Sequence, residues 1–152
     1  MCGLDNEYGI KAPYYSMEDG SVMSIFKYRK QHQGYPGRVH GGLVTAMLDE
    51  MSMRALWAEE GDEKTFGVTF SLENKYRMPV PYDVPLIGRA KIVKDNRKMF
   101  VAEAQIMDEN GKLLSNATVK YMKLNIDDIV GGALMHEEMC YLIDDDLKEI
   151  DI

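Results

Sequence analysis

Residues 34–58 read GYPGRVHGGLVTAMLDEMSMRALWA, and this stretch decides the fold. Gly34, Pro36 and Gly37 break the chain. From Gly42 to Ala58 nearly every residue is then small or apolar. The pattern predicts a helix from about Gly41 to Glu59 or Glu60, with Gly61 as the C′ residue. A helix apolar on nearly all sides has to be enclosed on nearly all sides. Two acids interrupt it. Glu50 stands four residues before Arg54, the favourable order for an ion pair along one helix face. Asp49 has no such neighbour, because positions 45, 46, 52 and 53 are Thr, Ala, Ser and Met. It needs either a structural hydrogen bond from a neighbouring strand or subunit, or a functional role.

At the start of the helix, Gly41 and Gly42 present backbone N–H groups uncovered by side chains, a setting for an oxyanion or a polarised carbonyl. The same pair could simply ease the turn. Gly41 and Asp49 are eight residues apart, which on one helix is roughly 12 Å. One small reacting group cannot touch both within a chain. Two antiparallel copies of the helix across a two-fold axis would bring Asp49 of one toward Gly41 of the other, so joint action implies a composite homodimer site.

Working outward, residues 12–18 and 21–31 flank Asp19-Gly20 and read as a hairpin. Val22, Ser24, Phe26 and Tyr28 alternate with Met23, Ile25, Lys27 and Arg29. Beyond the helix, FGVTFSLENKYR has period two, with Phe66, Val68, Phe70, Leu72 and Tyr76 as its apolar set. The proline-rich MPVPYDVP is a connection. Strands follow over 86–94, 97–108 and 113–124, turning at Asp95-Asn96 and Asn110-Gly111. The expected class is α+β: one long central helix wrapped by a five- to six-stranded antiparallel sheet.

The chain has 152 residues and a net charge of −7, enough for one domain with a proper core. Residues 125–152 hold nine acidic side chains against Lys148 alone, or −8, which leaves +1 before them. We therefore divide the chain into a domain over 1–124 and an acidic C-terminal extension over 125–152. The extension reads as a solvated surface or as a recruiter of a protein partner, with a short helix possible over 133–143. No basic stripe with interleaved aromatics argues for nucleic acid, and no apolar run is long enough to span a membrane. No secretory signal pattern is visible, and Cys2 and Cys140 suggest neither a disulfide framework nor a metal site. A cytoplasmic location follows as the expectation.

The stretch QGYPGRVHGGLVTAMLDE resembles the hot-dog-fold acyl-CoA thioesterases, in particular the phenylacetate-pathway-like branch with its H-G-G-(x)6-[DE] signature. The likeness continues through GVTFSLENKYRMPVP and DNRKMFVAEAQIMDENGKLLSNATVKYMKL, and covers roughly residues 20–124. It implies hydrolysis of an acyl-CoA by a homodimer or a dimer of dimers, with CoA as part of the substrate and no separate cofactor. Asp49, nine positions after the motif histidine, would be general base or nucleophile. The Gly41 N–H would polarise the thioester carbonyl, with Gly42 beside it, and His40 would help hold the thioester. Thr69, seven residues before Tyr76, would orient the attacking water. The family often carries Asn or Gln six before the histidine; here that position is Gly34, with Gln33 adjacent as the substitute. Arg97 and Lys98 are candidate contacts for CoA phosphates. His40 as general base, a non-catalytic acyl-CoA binding or sensing protein, and an enoyl-CoA hydratase on the same fold are the competing readings.

Overall fold

A computed structural model describes residues 6–60 and 65–125. The expected Gly61 cap, the 133–143 helix, both cysteines and nearly all of the acidic extension lie outside them. Six strands and one long helix form in the order β1 (Tyr15–Ser16), β2 (Val22–Phe26), α1 (Gly41–Glu60), β3 (Thr65–Tyr76), β4 (Leu86–Asp95), β5 (Met99–Asp108) and β6 (Leu113–Asn125). The strands make one antiparallel sheet in the order β1-β2-β4-β5-β6-β3. The chain thus leaves the sheet after β2, near one edge, crosses its face as α1, and re-enters at the far edge as β3.

The helix lies against small residues. Ala90, Ala102, Ala104 and Ala117 are buried on the three central strands, and a Cβ at Gly88 would collide with the Met51 sulfur. Into this floor α1 sinks Val44, Met47, Leu48, Met51, Ala55 and Leu56, all at most 1% exposed. Large side chains close the sides, among them Phe26, Tyr28, Phe100, Ile106 and Tyr121. This is the hot-dog arrangement, and it accounts for a helix that is apolar nearly all round.

Three expectations about the strands are corrected. The Asp19-Gly20 and Asn110-Gly111 turns, read as two-residue hairpins, are three-residue loops. The Gly20 N–H bonds to Met17 O while the Met17 N–H bonds to Ser21 O, and the same pair of bonds recurs between Gly111, Asp108 and Lys112. In each loop only the glycine takes positive φ, 74° at Gly20 and 76° at Gly111, so Asn110 is not asked to. This is a type I turn closed by a glycine bulge, and the Asp19 and Asp108 side chains accept loop N–H groups that the two-residue pattern would not leave free. β1 is also far shorter than the expected 12–18 run, and beyond β2 the chain enters a 3₁₀ turn, Lys30–His32.

The third correction concerns β3. Its register on β6 shifts between Thr69 and Ser71, leaving Phe70 as an extra residue. Thr69 pairs with Tyr121, Leu72 with Val119, Asn74 with Ala117 and Tyr76 with Ser115, and those four β6 residues are buried on the helix side. The helix-facing set is therefore Thr69, Leu72, Asn74 and Tyr76. Val68 and Phe70, assigned to the core by simple alternation, are 45% and 64% exposed on an edge strand.

Candidate active site

Asp49 sits half-buried midway along α1, where the sheet supplies the partner its own helix lacks. The Thr69 hydroxyl on β3 donates to Asp49 Oδ1 at 2.9 Å. The Tyr121 hydroxyl on β6 lies 2.9 Å from the same oxygen and 2.6 Å from the Asp49 backbone carbonyl. Tyr121 is 1% exposed and stacks on Phe100 at 4.6 Å. Burial, reinforced by the neighbouring Asp49 charge, pushes its phenol far above the ordinary range, so the hydroxyl keeps its proton and remains a donor. Thr69 donates to Oδ1, the single Tyr121 proton is shared between Oδ1 and the Asp49 carbonyl, and among the described residues no donor reaches Oδ2. A carboxylate is thus held from one side with one oxygen left to act.

Glu50 behaves as the sequence predicts. Arg54 donates to Glu50 Oε1 from Nε at 3.0 Å and from Nη2 at 2.7 Å, and its guanidinium stacks over Trp57 at 4.5 Å. The acidic pair divides into a structural member and an available one.

At the other end of the site, His40 precedes the first helical turn and is exposed. Its Nδ1 accepts the Gly42 N–H at 3.0 Å, which places the proton of the neutral ring on Nε2. The expectation that both glycines offer free N–H groups is therefore corrected: Gly42 has spent its own on His40. The Gly41 N–H has no acceptor among the described residues. The carbonyl of the same peptide, His40 O, accepts the N–H groups of Leu43 at 2.9 Å and Val44 at 3.3 Å. Polarising a peptide through its carbonyl strengthens its N–H as a donor.

A directional chain of hydroxyls and an amide fixes this turn. Ser115 Oγ donates to Asn74 Oδ1 at 2.8 Å, and Asn74 Nδ2 donates to Thr45 Oγ1 at 2.9 Å. Thr45 Oγ1 and the Tyr76 hydroxyl are 2.6 Å apart, and the Tyr76 hydroxyl donates to Gly41 O at 3.0 Å. With the Tyr76 proton committed to Gly41 O, Thr45 has to be the donor between them. Sequence reasoning missed Tyr121 altogether and used Tyr76 only as a landmark. A signal was present, since a tyrosine in a strand that buries it needs a partner for its hydroxyl.

The remaining candidates are placed as follows. Gln33 Oε1 accepts the Tyr82 hydroxyl at 3.0 Å, beside the loop that leads to His40. The departure at Gly34 has a steric cause, because a Cβ there would stand 2.9 Å from His40 Cα, so no larger side chain fits. Arg97 and Lys98 are exposed in the β4–β5 turn, at the end of the sheet away from Gly41. The structure thus joins Asp49 to Thr69 and His40 to Gly42, while Gly41 and Asp49 remain separated along α1 within one chain.

Comparison with known proteins agrees with this architecture. The family model described as the thioesterase superfamily matches residues 36–115. The mouse protein named acyl-coenzyme A thioesterase THEM4 is 30% identical over 125 residues, covering 81% of this chain and 50% of that protein. The chain spans about half the length of the curated relatives it matches. A hypothetical thioesterase protein with coenzyme A from Streptococcus pneumoniae superposes with a TM-score of 0.67 at 22% identity, over 75% of this chain and 89% of that one. Zebra fish thioesterase superfamily member 2 gives 0.66 at 23% identity, over 74% and 80%. With its helix, its wrapped sheet and the matched stretch running from the loop before His40 to Ser115, this chain belongs to the thioesterase superfamily.

Proposed function

We propose that the protein hydrolyses an acyl-CoA thioester to the free acid and CoA, at sites shared between two subunits. The observation that carries this reading is the Asp49 carboxylate, held at Oδ1 by Thr69 and Tyr121 with Oδ2 unengaged among the described residues. Asp49 takes a proton from a water whose oxygen bonds to the carbonyl carbon, or itself attacks that carbon to give a mixed anhydride that water then cleaves to the free acid. In either route the carbonyl passes through an oxyanion whose collapse breaks the C–S bond. The Gly41 N–H, preorganised by the Tyr76 chain and by the helix dipole, receives that oxyanion without reorganisation. His40 presents Nε2–H toward the thioester, and the thiolate of CoA leaves. The CoA named in the pneumococcal relative and the activity named in the mouse relative support the substrate class. Coenzyme A enters as part of the substrate.

The same reading includes a homodimer, and the exposed sheet edge supports it. On the edge strand β3, Val68 and Phe70 are exposed, and Met122 of adjacent β6 is 43% exposed. Pairing that edge with its own copy covers this apolar surface and lays two α1 helices antiparallel. Gly41 of one chain then completes Asp49 of the other.

The test is complementation. Asp49→Asn removes the carboxylate, and Gly41→Pro removes the N–H at the first helical position, where proline is tolerated. Each variant alone should release almost no thiol from a panel of short, medium, long and aryl acyl-CoAs. Co-refolded in equal amounts, they should recover about a quarter of wild-type activity, since half the dimers are mixed and each holds one intact site. No recovery would place the site within one chain, and Asp49→Asn turning over at the wild-type rate would end the hydrolytic reading. Acyl-CoA binding without thiol release would leave a binding protein on this fold.

A further inference from the structure

At the β2 edge of the sheet, an open depression of about 490 Å³ is lined by Ile10, Pro13, Ile25, Pro85 and the margin of the buried Phe26, with Lys11, Lys27 and Arg29 at its rim. That volume falls within the usual range of small-ligand sites, roughly 300–1,000 Å³. The domain before residue 125 has a net charge of only +1, yet among the described residues the lining carries Lys27 and Arg29 and no acid.

One wall is a built structure. Arg29 Nη2 donates to the carbonyls of Glu7 at 2.9 Å and Gly9 at 2.6 Å, and His32 Nε2 meets the carbonyl between them, Tyr8 O, at 2.9 Å. His32 Nδ1 in turn accepts the Arg29 N–H at 3.0 Å, so the arginine is anchored at both its backbone and its head. Three successive carbonyls clamp the N-terminal segment beside β2. Just beyond the clamp, Lys11 is held at φ 56°, a left-handed conformation that a lysine adopts only when its surroundings impose it. Arg29 uses Nη2 alone for the clamp, and its Nε and Nη1 have no acceptor among the described residues. A fixed guanidinium with further N–H groups available beside an apolar floor suits a planar carboxylate attached to an apolar body.

We propose that this depression binds an amphipathic carboxylate, its chain on Ile10, Ile25 and the two prolines and its head at Arg29 and Lys27. The binding itself is independent of the proposed hydrolysis. That the ligand would be the acid released by that reaction, making a product a ligand of a second surface, rests on the hydrolytic reading.

The full chain titrated with dodecanoate below its micellar concentration, followed by amide NMR shifts and calorimetry, tests the proposal. Saturable binding should move the amides of Ile10, Lys11, Ile25 and Lys27 and leave those of Asp49 and Thr69 in place. Dodecan-1-ol should bind at least tenfold more weakly than dodecanoate. Lys27→Glu, at an exposed position, should weaken dodecanoate at least tenfold, and Lys27→Arg should restore it. Shifts centred on Asp49, equal binding of the alcohol, or no saturation would overturn the site. Dodecyl phosphate binding tenfold tighter than dodecanoate would overturn the carboxylate in favour of a phospholipid head. Displacement of dodecanoate by a synthetic peptide of residues 126–152 at lower concentration would assign the surface to the acidic extension instead.

Discussion

Removing the Tyr121 hydroxyl tests the clamp on Asp49 with little collateral change. Tyr121→Phe keeps the ring, its near-parallel stack on Phe100 (interplanar angle 10°) and the packing volume. It deletes a donor whose one proton is shared between the carboxylate oxygen at 2.9 Å and the Asp49 carbonyl at 2.6 Å, so the full charged bond is an upper bound. A hydrogen bond to a charged group contributes about 1.5–3 kcal/mol. If all of it is felt in the transition state, at about 1.36 kcal/mol per factor of ten, thiol release falls roughly 10- to 150-fold. Thr69→Val deletes the other Oδ1 donor from an exposed position and should fall in the same range. Because both donors share one oxygen, the double variant should depart from additivity by about 0.5–3 kcal/mol. The assay is kcat/KM for thiol release, with urea unfolding of the same four proteins. Tyr121→Phe should cost about 1–2 kcal/mol of stability, since the Asp49 carbonyl keeps its bond within the helix. Wild-type turnover in both single variants, or strict additivity in turnover and stability alike, would refute the claim that this pair holds a working carboxylate.

Other expectations are simpler. Asp49→Ala should abolish most thiol release while oligomeric state and circular dichroism stay as in the wild type. Glu50→Gln should leave turnover within about twofold and cost roughly 0.5–1 kcal/mol in denaturant unfolding, a change consistent with a helix ion pair; a collapse in turnover would mean the acidic pair has been divided wrongly. Gly34→Asn, which restores the residue type usual in the family, should be destabilising by about 1–3 kcal/mol, because its Cβ meets the His40 backbone; a neutral melting temperature would contradict that. Asp19 is lowered to about 2, chiefly by the Ser21 hydroxyl and N–H and then by Arg89 and Lys91. Its folded value lies below the unfolded one, so its contribution is present above about pH 4 and is lost as the pH falls toward 2. Unfolding curves of the wild type and Asp19→Asn should therefore converge across that window.

The helix was legible to within a residue because its signals are local: breakers before it, an unbroken apolar run, and a charge pair four apart. The β4, β5 and β6 spans were close for the same reason. The face of β3 was not legible, since a bulge leaves the local alternation intact and shows only in pairing with β6. At the site, Asp49, Gly41 and Thr69 could be named from motif and spacing. Tyr121 was signalled only as a buried hydroxyl in need of a partner; that the partner is Asp49 was not legible, because the contact joins residues 72 apart in sequence and depends on β6 lying beneath the middle of α1. The pairing of Gly42 with His40 was missed because it depends on a side-chain rotamer.

The bulge at Phe70 carries a consequence for how related chains are aligned. Thr69 and Tyr76 are seven residues apart, an odd interval, yet both reach the helix, one to Asp49 and the other to Gly41. In a regular strand an odd interval puts its two ends on opposite faces. The extra residue works as a parity bit: with it, the strand addresses both halves of the helix at once. A one-residue insertion or deletion between them, with no second bulge, is a geometric frameshift that turns one of the two outward. A two-residue change preserves the code. In this chain it is the parity of the interval that lets one strand reach both Asp49 and Gly41.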